Sequence, residues 1–184
     1  MPGVCDDVKV LFAWHGSDFQ AIDAICRDGA RGFRTTDGGY FGAGTYCAIE
    51  CAYASQYSEY GGKAPNSNGE YAVILFACFL GPFPYVITLE KDYVGRRAQH
   101  PGFSSFYGGD KDEAKSLMPL YDSHFVPVKQ YGNLHPVTGQ PLGYSVDFQA
   151  CPEGDSTGHE LILHDHTQLL PVAVLWYKKP IIVA

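Results

Sequence analysis

Three short segments of the chain each bring one reactive polar side chain to the edge of an apolar or aromatic run. The segments lie at residues 12–17, 39–46 and 158–163, and they carry His15, Tyr46 and Glu160. A fixed carboxylate can stabilise positive charge that develops during a reaction, and an aromatic face attracts a flat cation. Taken singly, such a histidine, tyrosine or glutamate is usually a packing or solvated residue. Their order and their neighbours are what point to chemistry.

Two familiar motifs begin in these segments and are not completed. Gly42 and Gly44 open a dinucleotide-binding fingerprint, but Cys47 stands where the third glycine would be, and no βαβ unit surrounds the motif. His159 and Glu160 open a zinc-protease HExxH motif, but position 163 is not a histidine and the segment is patterned as a strand. These segments therefore predict neither a Rossmann fold nor a zinc-protease site.

The elements that position these groups follow from the apolar patterning. Strands are predicted at 8–14, 70–80, 125–128, 144–149, 161–163 and 172–176. Helices are predicted from Ser17 or Asp18 to Gly29, over 48–60 and over 111–117. His15 then follows a strand, Tyr46 follows a glycine-rich loop, and Glu160 opens a strand. Strands outnumber helices without a regular βαβ alternation, so the fold class is α+β.

Composition limits the classes of function. The 184 residues fit a single domain, 1–184, and a hydrophobic share of 46% argues against disorder. The net charge of −7 argues against broad binding to nucleic acid or to an anionic membrane. Six cysteines without paired CxxC spacing predict reduced thiols in the cytoplasm or nucleus, with zinc binding as the alternative. The sequence shows no signal peptide, which leaves delivery as an effector by specialised export open.

In this order, the three segments are similar to the His-Tyr-Glu constellation of the poly(ADP-ribose) polymerase family. The resemblance runs from about residue 11 to residue 178 and includes the family's FGxGxY segment at 41–46 and its terminal strand at 159–168. It implies a diphtheria-toxin-like ADP-ribosyltransferase fold, in which two packed, mostly antiparallel β-sheets form an NAD+ cleft flanked by short helices. It also implies NAD+ as co-substrate, no metal and no helical regulatory subdomain.

The resemblance assigns a role to each site residue. Glu160 binds the nicotinamide ribose and stabilises the charge that develops there, while Tyr46 and Tyr57 flank the nicotinamide. His15, helped by Ser17, bonds the adenosine ribose. The remaining two positions face the carboxamide group of the nicotinamide. The backbone of Gly16 binds this group, and Ala54 stands where the family often has a serine that hydrogen-bonds to it.

The expected function is transfer of ADP-ribose to a macromolecular acceptor, most simply protein, with automodification included. Tyr53 stands where polymerising members often carry lysine, which favours a single unit or a short chain as the product. Two alternatives are NAD+ hydrolysis and a non-catalytic module that binds NAD+ or another nucleotide. The acidic charge disfavours a nucleic-acid acceptor. A donor loop is expected at 34–39 and an acceptor-selecting region at 131–157.

Overall fold

The computed structural model describes residues 8–30, 41–42, 44–59, 63–88, 120–131 and 147–179, which form an α+β fold. The strands are β1 (Lys9–Gly16), β2 (Thr45–Ala48), β3 (Tyr71–Leu80), β4 (Tyr85–Val86), β5 (Ser123–Tyr131), β6 (Asp147–Ala150), β7 (Gly158–Leu163) and β8 (Leu169–Tyr177). The helices are α1 (Ile22–Asp28) and α2 (Cys51–Glu59), and short 3-10 turns cover Phe19–Ala21, Glu153–Asp155 and His166–Gln168. The predicted donor loop, the helix at 111–117 and most of the acceptor region lie outside the described residues.

The described strands form one continuous sheet rather than the two packed sheets expected from the resemblance. Its order is β4-β5-β7-β2-β1-β3-β8, with β6 paired to β5. All neighbours are antiparallel except β4 and β5. The two halves are joined because Trp14 of β1 pairs with Ala48 of β2.

Strand β3 is the longest strand and lies between β1 and β8. Its middle residues are buried on both faces, which explains why its sequence is an unbroken apolar run instead of an alternating one. Two cores result, one on each face of the sheet. The core on the α2 face includes Tyr53, Ala54, Val73, Val126 and Ile162. The core on the α1 face includes Ala13, Ile22, Ile74, Phe76 and Leu161.

A single row of residues crosses four neighbouring strands and sets the geometry of the site. Trp14 pairs with Ala48, Ala48 pairs with Glu160, and Glu160 pairs with Val126. Residues paired directly across a sheet point to the same face, and Ala48 and Val126 belong to the core beneath α2. The side chain of Glu160 therefore lies on the face that α2 covers.

The predicted boundary between β2 and α2 was wrong. A helix was expected from residue 48, but Ala48 is the last residue of β2 and α2 begins at Cys51. The strand extends this far because Ala48 pairs with Glu160, a partner that the local sequence does not reveal. Cys47 and Cys51 consequently do not share a helical face.

The start of the first helix was predicted correctly. Asp18 caps the 3-10 turn that leads into α1, since its side chain accepts a hydrogen bond of 2.9 Å from the Gln20 N–H. Gly29 follows α1 with a φ of 83°, a left-handed conformation that favours glycine.

The predicted start of the strand that carries Glu160 was wrong. Glu160 lies inside β7 instead of opening it, because β7 begins at Gly158.

Gly44 allows the entry to β2 to approach β7 closely. A Cβ atom at this position would lie 2.4 Å from the carbonyl oxygen of Leu163, which belongs to the backbone and cannot swing aside. We expect Gly44→Ala to lower the free energy of unfolding by about 1–3 kcal/mol, because overpacking forces the two strands apart. Urea unfolding measures this change. Gly154→Ala is the matched control, since a Cβ there meets no atom within 4 Å, and equal stability of both variants would contradict the prediction.

Candidate active site

A cleft of about 240 Å³ opens where β1, β2, β7 and α2 meet. Every residue predicted from the sequence to form the site lines this cleft: His15, Gly16, Ser17, Tyr46, Ala54, Tyr57 and Glu160. The other lining residues are Trp14, Cys47, Ala48, Tyr53 and Lys63. Pockets for drug-sized ligands usually measure roughly 300–1,000 Å³. The cleft is therefore smaller than a typical pocket of that kind.

Glu160 is buried in the cleft with only 6% of its surface exposed, and it is held by two tyrosines of α2. The Tyr53 hydroxyl donates a short hydrogen bond to Glu160 Oε1, and the Tyr57 hydroxyl donates to the same oxygen at 3.3 Å. The two hydroxyls lie 3.1 Å apart, and the two rings meet edge to face with centroids 5.6 Å apart. A buried carboxylate is costly unless it accepts hydrogen bonds. The tyrosines supply those bonds to one of the two carboxylate oxygens, Oε1.

Burial, together with the nearby Glu160 carboxylate and the Tyr57 hydroxyl, raises the pKa of Tyr53 well above its ordinary value. Tyr53 therefore stays protonated throughout the physiological pH range and remains a donor to Glu160. Because its hydroxyl contacts the carboxylate directly, Tyr53 belongs to the site. Sequence reasoning had treated it only as the absence of a lysine. Its spacing of four residues from Tyr57 on a predicted helix was the signal that could have placed the two rings together.

The phenol of Tyr46 holds the glycine-rich turn that precedes it. Its hydroxyl accepts a hydrogen bond from the Phe41 N–H at 2.6 Å and donates one to the Gly42 carbonyl at 2.7 Å. Gly42 has a φ of 110°, which favours glycine at this point of the FGxGxY segment. The backbone carbonyl of Tyr46 in turn accepts a hydrogen bond of 2.7 Å from His15 Nδ1. This bond fixes the proton of His15 on Nδ1 and orients its ring.

His124 of β5 binds the same glycine-rich turn through a second side chain. Its Nδ1 donates a hydrogen bond of 2.6 Å to the Phe41 carbonyl, so the Phe41 peptide is bound at both its N–H and its C=O. His124 is fully buried. Burial lowers the pKa of this imidazole to about 4, although the bond to Phe41 acts in the opposite direction. His124 is therefore neutral at pH 7, and the sequence analysis did not identify it.

Gly16 lets α2 lie directly on the end of β1. A Cβ at this position would be 2.0 Å from the carbonyl oxygen of Ala54. This close approach gives glycine a packing role there in addition to the backbone contact implied by the resemblance. The hydroxyl of the neighbouring Ser55 donates to the Ala52 carbonyl of its own helix at 2.9 Å. Ser55 therefore does not replace the serine that the family often carries at position 54.

Lys63 contributes the basic side chain of the cleft lining. Its Nζ donates a hydrogen bond to the carbonyl of Tyr57, one of the last carbonyls of α2. Such a cation suits the C-terminal end of a helix, where unsatisfied carbonyls and the helix dipole attract positive charge.

Within the described residues, no three His, Cys, Asp or Glu side chains are grouped so that they could hold a metal ion. The described helices include none long and apolar enough to cross a membrane.

The sheet, the covering helix and the cleft define a domain that brings a buried carboxylate against two aromatic rings. The family model of the poly(ADP-ribose) polymerase catalytic domain matches residues 6–145, well over half of the chain. The chain belongs to this family, whose members use NAD+, and membership implies ADP-ribosyltransferase activity in general. Comparison with curated proteins gives no match.

The matched residues include His15, Tyr46 and Tyr57 but end before Glu160. The position of Glu160 among them follows from the pairing of β7 with β2, in which Glu160 lies opposite Ala48 and Ile162 lies opposite Tyr46. The fold therefore supplies the carboxylate to a site whose other members lie in the matched part of the chain.

The buried imidazole of His124 predicts a loss of stability in acid. Above pH 6.5 the imidazole is neutral in both the folded and the unfolded chain. As the pH falls from 6.5 to about 4, the unfolded chain binds a proton that the folded chain does not. This difference should lower the free energy of unfolding by about 3 kcal/mol. Urea unfolding at a series of pH values measures it.

The variant His124→Asn keeps a side-chain donor for the Phe41 carbonyl but cannot take up the proton. We expect its stability to change less steeply between pH 6.5 and 4 than that of the wild type, whatever its stability at neutral pH. The exposed His166→Asn serves as the control for removal of a histidine. Identical pH slopes for the wild type and His124→Asn would show that His124 does not cause the acid sensitivity.

Proposed function

We propose that this protein transfers ADP-ribose from NAD+ to a macromolecular acceptor, most simply a protein, with the release of nicotinamide. The observation that carries the proposal is the presence of Glu160 in the same cleft as His15, Tyr46 and Tyr57. A binding module does not require a buried carboxylate at this place, and burying one is unfavourable without compensation. A transferase requires it, because charge develops at the reacting sugar.

The chemistry fits these residue types. In NAD+ the nicotinamide is a pyridinium cation, so it leaves with both electrons of its bond to the ribose and needs no general acid. Positive charge then develops on the ribose, where the carboxylate of Glu160 stabilises it. The acceptor's nucleophile bonds to the same sugar carbon and gives its proton to the carboxylate of Glu160 or to solvent water. Glu160 is also proposed to orient that nucleophile.

The cleft offers a contact for each part of the nicotinamide end. The rings of Tyr46 and Tyr57 suit a flat cation, and the backbone of Gly16 suits the carboxamide. His15 and Ser17, at the end of β1, are proposed to hold the adenosine ribose. Glu160, His15 and Tyr46 form the proposed catalytic set, in a single ADP-ribosyltransferase-fold domain over residues 1–184.

A single ADP-ribose unit or a short chain is the proposed product. Tyr53 contacts Glu160 with a neutral hydroxyl at the position where polymerising relatives often carry a lysine.

The cysteines in the described ranges are free thiols: Cys26, Cys47, Cys51, Cys78 and Cys151. Free thiols support a reducing compartment, so we propose the cytoplasm or the nucleus as the place of action. Delivery as a secreted effector is compatible with this, since the cytoplasm of a target cell is also reducing.

Replacement of Glu160 by glutamine tests the central role. Glutamine keeps the size of the side chain but removes its charge, so we expect transfer to fall by a factor on the order of 10² to 10³. Binding of NAD+, measured by calorimetry, should change little, since the role of Glu160 is in the transition state. Loss of binding to the same degree would mean that Glu160 holds the substrate in its ground state instead.

Intact-protein mass spectrometry after incubation with NAD+ distinguishes the possible reactions, with a labelled cell extract in a parallel sample. Added ADP-ribose masses that vanish in Glu160→Gln would establish a transferase, and their number would separate single units from chains. Free nicotinamide without a modified macromolecule would indicate an NAD+ hydrolase. Binding of NAD+ without turnover would indicate a non-catalytic module.

Two substitutions at Tyr57 separate its ring from its hydroxyl. Tyr57→Ala removes the aromatic face, and we expect NAD+ binding to weaken by about 2- to 30-fold, the range of a cation–π contact. Tyr57→Phe keeps the face and removes only the hydroxyl that donates to Glu160, so binding should be close to that of the wild type. Equal affinity of the alanine variant and the wild type, measured by calorimetry, would exclude Tyr57 from the nicotinamide site.

A further inference from the structure

Glu50 and His159 form a pair that lies outside the cleft and joins the two elements that carry the site. The Glu50 side chain binds His159 twice: Oε1 lies 2.6 Å from the ring Nδ1, and Oε2 accepts the backbone N–H at 2.9 Å. The backbone of the preceding residue completes the contact, since the Ile49 N–H donates to the His159 carbonyl at 3.1 Å. The His159 peptide is thus bound at its N–H, its C=O and its ring.

Glu50 also lies directly before α2 and accepts its first hydrogen bonds. Its carbonyl oxygen accepts hydrogen bonds of 3.1 Å from the N–H groups of Tyr53 and Ala54, the first bonds of the helix. The Tyr53 hydroxyl then reaches the carboxylate of Glu160, the residue that follows His159. A closed circuit results, which runs from Glu50 along the first turn of α2 to Tyr53, across to Glu160, and back through His159 to Glu50. Opening any link would let Glu160 shift relative to α2.

The imidazole of His159 lies between two carboxylates. Nδ1 faces Glu50, and Nε2 lies 3.0 Å from Glu153 Oε1 and 3.3 Å from the Ser156 hydroxyl. A carboxylate accepts hydrogen bonds and cannot donate them, so both ring nitrogens must carry protons for both contacts to be favourable. The ring of Phe125 stacks on the imidazole with centroids 5.5 Å apart and planes at 15°, which also favours the cation. The geometry therefore selects the imidazolium form.

We propose that Glu50 and the imidazolium of His159 are positioning residues for the reaction, which hold the carboxylate of Glu160 in place against Tyr53. This inference rests on the proposed transferase function. His159 acts through the backbone, because successive residues of a strand point to opposite faces and its ring lies on the face away from Glu160. Neither Glu50 nor His159 is among the residues that line the cleft.

The surroundings of His159 give the pair a defined pH dependence. Burial would lower the pKa of His159, but the hydrogen bonds and charges of Glu50 and Glu153 outweigh it and raise the pKa overall. Asp155 lies in the same 3-10 turn as Glu153, and exposed Lys129 is the charged residue of the described part of β5, the strand packed alongside. Because this pKa is raised, the pair holds Glu160 in place fully below about pH 6.5, the ordinary pKa of histidine. This stabilisation is lost as the pH rises through the raised pKa.

Two glutamine variants separate positioning from simple electrostatics. Glu50→Gln removes the carboxylate that binds the ring and the backbone N–H of His159, on the residue directly before α2. Glu153→Gln removes one that contacts the same imidazole but does not touch α2. Both variants should lower the pKa of His159, which NMR measures without substrate. At about pH 5.5, below the ordinary histidine pKa of about 6.5, the imidazole keeps its proton in both variants. At this pH only Glu50→Gln should reduce kcat, by about 10- to 100-fold, as a displacement of about 1 Å in a catalytic group can do, with the KM for NAD+ nearly unchanged.

A second readout does not require turnover. The NMR signal of a ¹³C-labelled Glu160 carboxyl group should change in Glu50→Gln and remain in place in Glu153→Gln. If the wild type shows no transfer, the proposed function fails, and this signal alone decides whether the circuit positions Glu160. An unchanged Glu160 signal together with wild-type kcat in Glu50→Gln would overturn the positioning role. An equal loss of kcat in both variants at that pH would overturn it too, because the link through Glu50 to the residue before α2 would then add nothing.

Discussion

The antiparallel pairing of β2 with β7 is the constraint on which the rest of this site depends. It places Ala48 opposite Glu160 and, through Trp14, joins the two halves of the sheet. A shift of this register by one residue would turn Glu160 to the α1 face. Its carboxylate would then lie among the apolar side chains of the second core, far from the tyrosines of α2. The register of these two strands therefore decides whether the carboxylate of Glu160 lies in the cleft.

The site also requires a helix that lies close enough to the Glu160 carboxylate to donate hydrogen bonds to it, because a buried carboxylate without such bonds is unfavourable. Gly16 makes this possible, because any side chain there would collide with the carbonyl of Ala54. The helix is then close enough for two phenols, those of Tyr53 and Tyr57, to reach one carboxylate oxygen. A small residue on the strand thus permits hydrogen bonds that are made within one turn of helix from its own contact.

Local sequence was sufficient to identify some of the residues that line the cleft, including His15, Tyr46 and Glu160, because each lies at the edge of a distinctive apolar or glycine-rich segment. It was also sufficient for the fold class and for most strands. It failed where a partner distant in sequence decides the structure. Ala48 has the local pattern of a helix start, yet β7 keeps it in a strand. The contacts of Glu50 with His159 and of Tyr53 with Glu160 span 109 and 107 residues, so only the sheet register reveals them. The same holds for the single sheet, since the pairing that joins its halves rests on the Trp14–Ala48 contact.

The distance along the chain between the members of the site also has a consequence for folding. The hairpin-like contacts that form quickly in small proteins are local, whereas pairings between distant segments form slowly, because a long loop must close before they gain any stability. Here the segment that carries Tyr53 meets Glu160 across 107 residues. Helix α2 is held by local bonds and can form before any cleft exists, whereas the long strands β3 and β8 pair across 91 to 106 residues. During refolding, the recovery of ligand binding would follow the recovery of the helical signal, and it would report the moment at which the last distant strand joins the sheet.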